Sequence, residues 1–394
     1  MTRKHVQTLS AILCATAGIA LAAPTAASAQ DSIGGFATEM PSRERPKREK
    51  VERQPIVDVR LDPSWEGPRS IREALALVEK DGEIVVHPGT YAPESVNLTR
   101  SVSIRGIRDD YGRAPTLRTR SSCLSIRSSD VNARVSDITF EASSATCLAV
   151  RAGSLELMNS EVLGERSGPA YAYQQPGSAS SHLRPFTQEA ATMSRSALVE
   201  ITGGRVRITN TTISGGETGV MINPGDTSYA FDHVDLQGNT ISQMTGAGVV
   251  MMGDVEATLA SNRIVSNQLS GVVYAGTGHA RLVGNIISNN ANNGLYVQGM
   301  GEAVSIEGNK IHDNTEDGIE VRSGVAILVG NDIGAHSGCR VNPNAPEGDN
   351  SGHLAMPPIT LLADPSGQTR YDTSSSCSNE EPRSRRDRRN RRRR

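Results

Sequence analysis

Gly238-Asn239-Thr240-Ile241-Ser242 begins a phrase that returns as Ser261-Asn262-Arg263-Ile264-Val265, Gly284-Asn285-Ile286-Ile287-Ser288, Gly308-Asn309-Lys310-Ile311-His312 and Gly330-Asn331-Asp332-Ile333-Gly334. The asparagines stand 23, 23, 24 and 22 residues apart. Nine residues after the first four come Gly248, Gly271, Gly294 and Gly318, each opening a short apolar run. A fixed period of this length sets the architecture ahead of any local propensity. The chain therefore reads as a coil of stacked rungs, and function has to sit on a long repetitive surface.

The apolar runs are short, rich in β-branched residues and punctuated by Gly and Asn, which excludes helices and predicts strands. Cys123-Leu124-Ser125-Ile126 and Cys147-Leu148-Ala149-Val150 lie 24 residues apart and align with Gly248-Val249-Val250-Met251 and its successors. Alternation along each strand predicts one inward column of Leu124, Leu148, Val220, Val249, Val272, Leu295 and Ile319. A second holds Ile126, Val150, Ile222, Met251, Tyr274, Val297 and Val321. With aromatics at only 3%, such columns suit a narrow aliphatic core. The asparagines have a local cause: Asn tolerates left-handed backbone at sharp turns, and amides stacked once per rung can pair along the axis.

Working outward from the repeat, residues 1–29 carry Arg3, Lys4 and His5, an apolar stretch from Ile12 to Ala23, and Ala27-Ser28-Ala29. This is the pattern of a secretory signal cleaved near Ala29. A lipoprotein reading at Cys14 lacks the small residue it needs, since Leu13 precedes it. No later segment is apolar enough to span a membrane, so the expectation is a secreted or periplasmic protein. Residues 30–69 are rich in Pro, Arg, Glu and Lys and read as a solvated, disordered leader. Ser70-Ile71-Arg72-Glu73 has the form of a capping box. It opens a cap helix over 70–80, with Ile71, Ala74, Leu75 and Val78 on one face and Asp81-Gly82 as its stop. The helix should cover the open end of the coil ahead of a strand at Glu83–Val86.

The coil is expected over 70–364. Its period breaks at about 165–197, an insertion that concentrates Tyr171, Tyr173, His182 and Phe186. Long insertions on repeat scaffolds often carry function; a loop merely tolerated at a turn is the equal alternative. The Pro- and Gly-rich stretch from Asn342 to Thr360 should close the last rung. Residues 365–394 read as a disordered tail whose last twelve positions, 383–394, hold nine Arg and one Asp. Against a whole-chain net charge of −2, the body is acidic and the tail strongly basic. Such a tail offers an anionic polymer a salt-sensitive, sequence-independent partner, or acts only as a solubilising end. With no interleaved aromatics it predicts no specific nucleic-acid recognition.

Ser70-Ile-Arg-Glu-Ala-Leu-Ala-Leu-Val78 followed by Gly82-Glu-Ile-Val-Val-His-Pro-Gly-Thr-Tyr91 resembles the opening of the pectin-lyase-like superfamily, and the Asn-X-Ile repeats from Asn239 to Ile333 resemble its generic right-handed β-helix region. The resemblance covers residues 68–350 and implies an all-β, right-handed parallel β-helix with a short N-terminal capping α-helix. It does not choose a function, because the scaffold carries lyases, hydrolases, epimerases, esterases and adhesins. The local motifs of the family's polygalacturonases and alginate epimerases are absent, and those of its pectate lyases and pectin esterases are not recognisable. Asp109-Asp110 is the only Asp pair and stands without companions.

The aligned rungs leave outward columns as the place to look. One runs Met221, Val250, Val273, Tyr296, Glu320 and is apolar for most of its length. The next runs Asn223, Met252, Ala275, Gln298, Arg322, with Arg127 and Arg151 in earlier rungs. An exposed apolar stripe marks a binding platform or lies under another segment. The binding-face candidates are Tyr296 as a stacking residue, Gln298, Arg127, Arg151, Tyr171, Tyr173 and His182. Glu320 and Arg322 are the candidate catalytic pair for an acidic sugar, with Arg holding the acid and Glu taking a proton; a solvated ion pair is the plainer alternative. Asp313, Glu316 and Asp317 suggest Ca²⁺ only weakly, because they lack a regular ligand spacing, and no other cofactor or metal site is indicated. Cys123 and Cys147 occupy equivalent positions in adjacent rungs, about 4.8 Å apart, within disulfide range. Cys339 with Cys377 would pin the terminal segment. The preferred function is binding of a glycan or other envelope or extracellular surface without catalysis; the alternative is a divergent polysaccharide lyase or glycoside hydrolase acting on acidic polysaccharide.

Overall fold

A computed structural model of the chain describes residues 52–143, 146–165, 196–224, 231–299, 304–334, 336, 338, 341–342, 360–363 and 370–371. The chain clusters into two compact units, Met1–Lys50 and Val51–Arg394, and everything described lies in the second. The signal, the insertion residues 166–195, Cys339, Cys377 and the Arg-rich tail lie outside the described residues.

The second unit is an all-β parallel β-helix of about ten turns. Its strands form three parallel sheets of twelve, ten and eleven strands, and successive rungs lend one strand to each. Every described ladder is parallel, and the predicted columns stand in register. Leu124 pairs Leu148, Val220 pairs Val249, Val249 pairs Val272, Val272 pairs Leu295 and Leu295 pairs Ile319. Both inward columns are buried in one continuous aliphatic core. A parallel sheet whose inner face is sealed in this way gains about 25 cal/mol for each Å² of apolar surface removed from water.

The asparagine column is a hydrogen-bonded ladder. Each Oδ1 of Asn262, Asn285, Asn309 and Asn331 accepts both the backbone N–H and the Nδ2 of the Asn one rung earlier, at 2.8–3.0 Å. Each Nδ2 also donates to a carbonyl of the preceding rung: Ile208, Leu236, Leu259, Leu282 and Ile306 for the five in order. The interior amides thus accept two bonds and donate two, their full capacity. One detail corrects the sequence reading. The left-handed residue is not the ladder Asn but the one before it, Gly238, Ser261, Gly284, Gly308 and Gly330, with φ between 55° and 66°. The glycine column has a different cause. A Cβ on Gly248, Gly271 or Gly294 would meet the next rung's glycine carbonyl at 2.6–2.8 Å, so the backbones approach too closely for any side chain.

Two further expectations are corrected at the N-terminus. The leader is not solvated throughout, for Gln54–Val59 is a strand paired in parallel with Val78–Val86, and it buries Val57 and Val59. Tyr91 fixes this strand by donating its hydroxyl to the carbonyls of Val59 and His87, and burial pushes that hydroxyl up to about 12. The helix spans Ile71–Leu77 rather than 70–80, because Val78 is already extended and continues as a strand through the left-handed Asp81. Ser70 caps it as expected, accepting from Glu73 N–H at 3.2 Å, but the Glu73 carboxylate reaches past the cap to Arg69 N–H. The Glu94 carboxylate, buried from the next rung, takes Arg72 N–H, and desolvation raises its pKa.

Candidate functional site

The outer faces of the sheets differ in what their side chains do. On the twelve-stranded sheet, the described strand arginines each close on an acid. Arg105 meets Glu83, Arg134 meets Glu156, Arg205 meets Asp232, Arg207 meets Asp235 and Arg281 meets Glu307, all at 2.7–3.0 Å. These pairs are largely exposed, so each contributes little to stability.

The ten-stranded sheet carries the sequence-predicted candidates. Its outward column runs in register from Asn97 and Ser125 through Ala149, Glu200, Met221, Val250, Val273, Tyr296 and Glu320. The apolar part is not an open platform. Val250 is 0% exposed, Val273 1%, Tyr296 5% and Met221 7%. Ala247, Val250, Val273 and Tyr296 form a second apolar cluster outside the coil, with Met252 and Leu269 packed on it. Outward therefore does not mean exposed here, and Tyr296 is no surface stacking residue; its hydroxyl donates to Gln298 Oε1 at 3.2 Å. The alternation read from sequence fixes which side of the strand a residue takes, but not what the turns fold over it.

Glu320 and Arg322 come together, with Arg322 Nε 2.5 Å from Glu320 Oε1. The other carboxylate oxygen accepts Asn293 Nδ2 at 2.7 Å. Glu320 is buried, whereas the Arg322 side chain is 43% exposed. Both carboxylate oxygens thus have a donor before any substrate arrives. The expected alignment of Gln298 with Arg322 fails by one residue: a register shift after Val297 pairs Gln298 with Ser323. At the adjoining turn, His312 Nδ1 lies 2.7 Å from Asp313 Oδ2, and Asp317 N–H donates to Asn293 Oδ1. Among the described residues no three His, Cys, Asp or Glu are grouped to hold a metal ion.

Arg127 and Arg151 sit at the polar end of the same sheet, directly after the inward Ile126 and Val150. Arg151 N–H donates to Ile126 O, so the two arginines stand one rung apart in one column. Both are exposed, and neither guanidinium has a hydrogen-bond or ion-pair partner among the described residues. The predicted disulfide links Cys123 and Cys147 immediately before these strands, with Cα atoms 4.7 Å apart.

The model of the right-handed β-helix region matches residues 197–345. That match spans 149 of the 394 residues, and the fold seen over it is the parallel β-helix that the repeats predict. Solved structures similar to this β-helix include the periplasmic alginate epimerase AlgG, 13% identical over 72% of this chain and 70% of that one, with a TM-score of 0.41. The catalytic domain of a GH87 α-1,3-glucanase is 12% identical over 82% and 69%, with a TM-score of 0.43. PfbA, a surface adhesin of Streptococcus pneumoniae, is 11% identical over 68% and 82%, with a TM-score of 0.38. These are likenesses of the coil and carry nothing about its chemistry. Among curated proteins none matches the sequence.

Several residues of the β-helix escaped the sequence reading. Asn267, Asn290 and Asn314 build a second ladder at the following turn, each Oδ1 taking the N–H of the residue one rung earlier. His336 Nδ1 ends it by accepting Asn314 N–H, and burial lowers its pKa. The signal was present, five residues after each of Asn262, Asn285 and Asn309. Glu200 is another: it is half-buried in the outward column, in register with Ala149, and its carboxylate likewise has no described partner. Tyr171, Tyr173 and His182 lie outside the described residues. No described helix is long and apolar enough to cross a membrane.

Proposed function

We infer that this protein is exported and that the outer face of its ten-stranded sheet binds a glycan or another envelope or extracellular surface without transforming it. One observation carries the reading: both oxygens of Glu320, the candidate base, are engaged, by Arg322 at 2.5 Å and Asn293 at 2.7 Å. A general base must present an oxygen to the proton it removes, whereas the Glu320 carboxylate is buried and tethered through each oxygen to a neighbouring side chain of the coil. At the polar end of the same sheet Arg127 and Arg151 are exposed and have no partner among the described residues, as a binding surface requires. Export is supported by the signal pattern of residues 1–29. The Arg-rich residues 383–394 would add a salt-sensitive attraction to anionic surfaces.

A panel of acidic and neutral polysaccharides, read in parallel for binding, unsaturated products and new reducing ends, tests this. The expected result is retention of at least one polysaccharide with no product formed. Product formation abolished by Glu320→Gln would contradict it and establish the lyase or hydrolase reading.

A further inference from the structure

The second asparagine ladder changes its chemistry at the last step. Met244 N–H donates to Asn267 Oδ1, Asn267 N–H to Asn290 Oδ1 and Asn290 N–H to Asn314 Oδ1, at 3.1–3.2 Å. The next position falls on His336, 22 residues after Asn314, and Asn314 N–H donates to its Nδ1 at 3.3 Å. The first ladder ends differently, on an amide: Asn331 Oδ1 accepts Asn309 N–H at 2.9 Å. An amide oxygen accepts at any pH. An imidazole nitrogen accepts only while it carries no proton. The acceptor that closes the second ladder is therefore conditional.

The surroundings of the ring make that condition matter. Its Nε2 is buried without a hydrogen-bond partner among the described residues. Burial disfavours the charged ring and lowers its pKa, while the Ile311 and Asn314 backbones and the carboxylates of Asp317 and Asp313 favour the charge. Asp313 in turn meets His312 Nδ1 at 2.7 Å. A protonated His336 thus loses its place in the ladder and finds two acids beside it. The rung it closes has short strands: Asp332–Ile333 and Val341–Asn342 lie on Lys310–His312 and Ile319–Ser323. With two residues each, they have few ladder bonds to hold them once the turn lets go.

We propose that His336 is an acid-sensitive latch on this rung. With Nδ1 bare it closes the second ladder; on protonation the ring turns from Asn314 N–H toward Asp313 and Asp317, and the rung opens. Opening bares the edge of Ile319–Ser323, the strand that carries Glu320 and Arg322. The rungs before it, whose ladders are bonded through amides alone, stay closed. Because the closed rung holds the His336 proton more weakly than the open one, the open rung is protonated first, near the ordinary value of 6.5. The latch is therefore fully effective above that value and weakens as pH falls from it toward the lowered value of the closed rung.

Hydrogen–deuterium exchange of the full chain, read by mass spectrometry from about pH 7.5 to about pH 5 and corrected for the intrinsic rate at each pH, tests this. In the wild-type chain, protection of peptides spanning Lys310–Ile333 is expected to fall as pH drops through 6.5, by up to about tenfold per pH unit, the slope of one linked proton. Peptides over Asn262–Asn290 should keep theirs. His336→Asn, which restores an amide acceptor, should abolish the slope. His336→Ala should lower protection about fivefold at every pH, the scale of one hydrogen bond. A flat wild-type profile over this range would overturn the latch. So would a slope that persists in His336→Asn, since it would place the titrating group elsewhere, His312 included.

Discussion

The twelve-stranded and ten-stranded sheets belong to the same rungs and share one core, yet their outer faces follow opposite rules. The first is charged, exposed and closed, each arginine matched to an acid. The second is divided into an apolar stretch buried to within a few per cent and a polar end where Arg127, Arg151 and Glu200 have no partner among the described residues. Because the two sheets alternate along the same coil, the difference lies in the side chains and in what the turns fold over them. Paired charges make a surface inert; unpaired ones on a rigid mount leave it something to bind with.

The contrast is broken most severely by a charge in the buried stretch. Val250→Asp should cost about 3 kcal/mol or more, since an unpaired carboxylate would enter the cluster of Ala247, Val273 and Tyr296. Thr258→Asp, an outward position on the twelve-stranded sheet between Asp235 and Arg281 in register, should stay within about 0.5 kcal/mol. Denaturant midpoints of the two variants measured side by side check this, and equal losses would erase the distinction between the faces. Next in size, Cys123→Ser/Cys147→Ser opens a 24-residue separation and should cost about 3 kcal/mol on the loop-entropy scale. Proteolysis of that variant should begin in the rungs carrying Arg127 and Arg151.

The sequence repeat made the core legible because both inward columns and the Asn ladder are periodic, and periodicity survives without any knowledge of the fold. It did not make the outer surface legible. Whether Val250 is wet depends on Ala247 and Leu269 at the turns, and a strand pattern says nothing about turns folding over it. The strand at Gln54–Val59 was hidden for a related reason: its Val57 and Val59 are few, the charged leader around them dominates the composition, and only pairing with Val78–Val86 gives them a place to be buried. Glu320 and Arg322 were brought together as read, but their partner Asn293 comes from the preceding turn and could not be seen from the strand.

That pair supplies a smaller test. Glu320→Ala leaves Asn293 Nδ2 buried without its acceptor and should cost about 1–3 kcal/mol. Arg134→Ala on the closed face should cost under about 1 kcal/mol, as exposed pairs do. The ratio of the two losses, read from unfolding midpoints, sharpens the comparison; a larger loss at Arg134 would reverse it.

The smallest effect expected is a pH slope away from both faces. Burial raises the pKa of Glu94 in the folded chain above 4.5, so the folded state holds its proton more tightly than the unfolded state. This contribution is fully present below 4.5 and is lost as pH rises through the raised folded value. Glu94→Gln, which keeps an acceptor for Arg72 N–H, should flatten that part of the stability profile. An unchanged slope between pH 4 and 7 would rule the assignment out.

Arginine-specific footprinting with phenylglyoxal, read by mass spectrometry with and without a polysaccharide that the protein retains, bears most directly on the claim that one face is open and the other closed. Arg127 and Arg151 should react quickly in the free protein and be protected on addition of that polysaccharide, while Arg134 and Arg207 stay unchanged. Protection of Arg134 and Arg207 instead, with Arg127 and Arg151 still reactive, would contradict it.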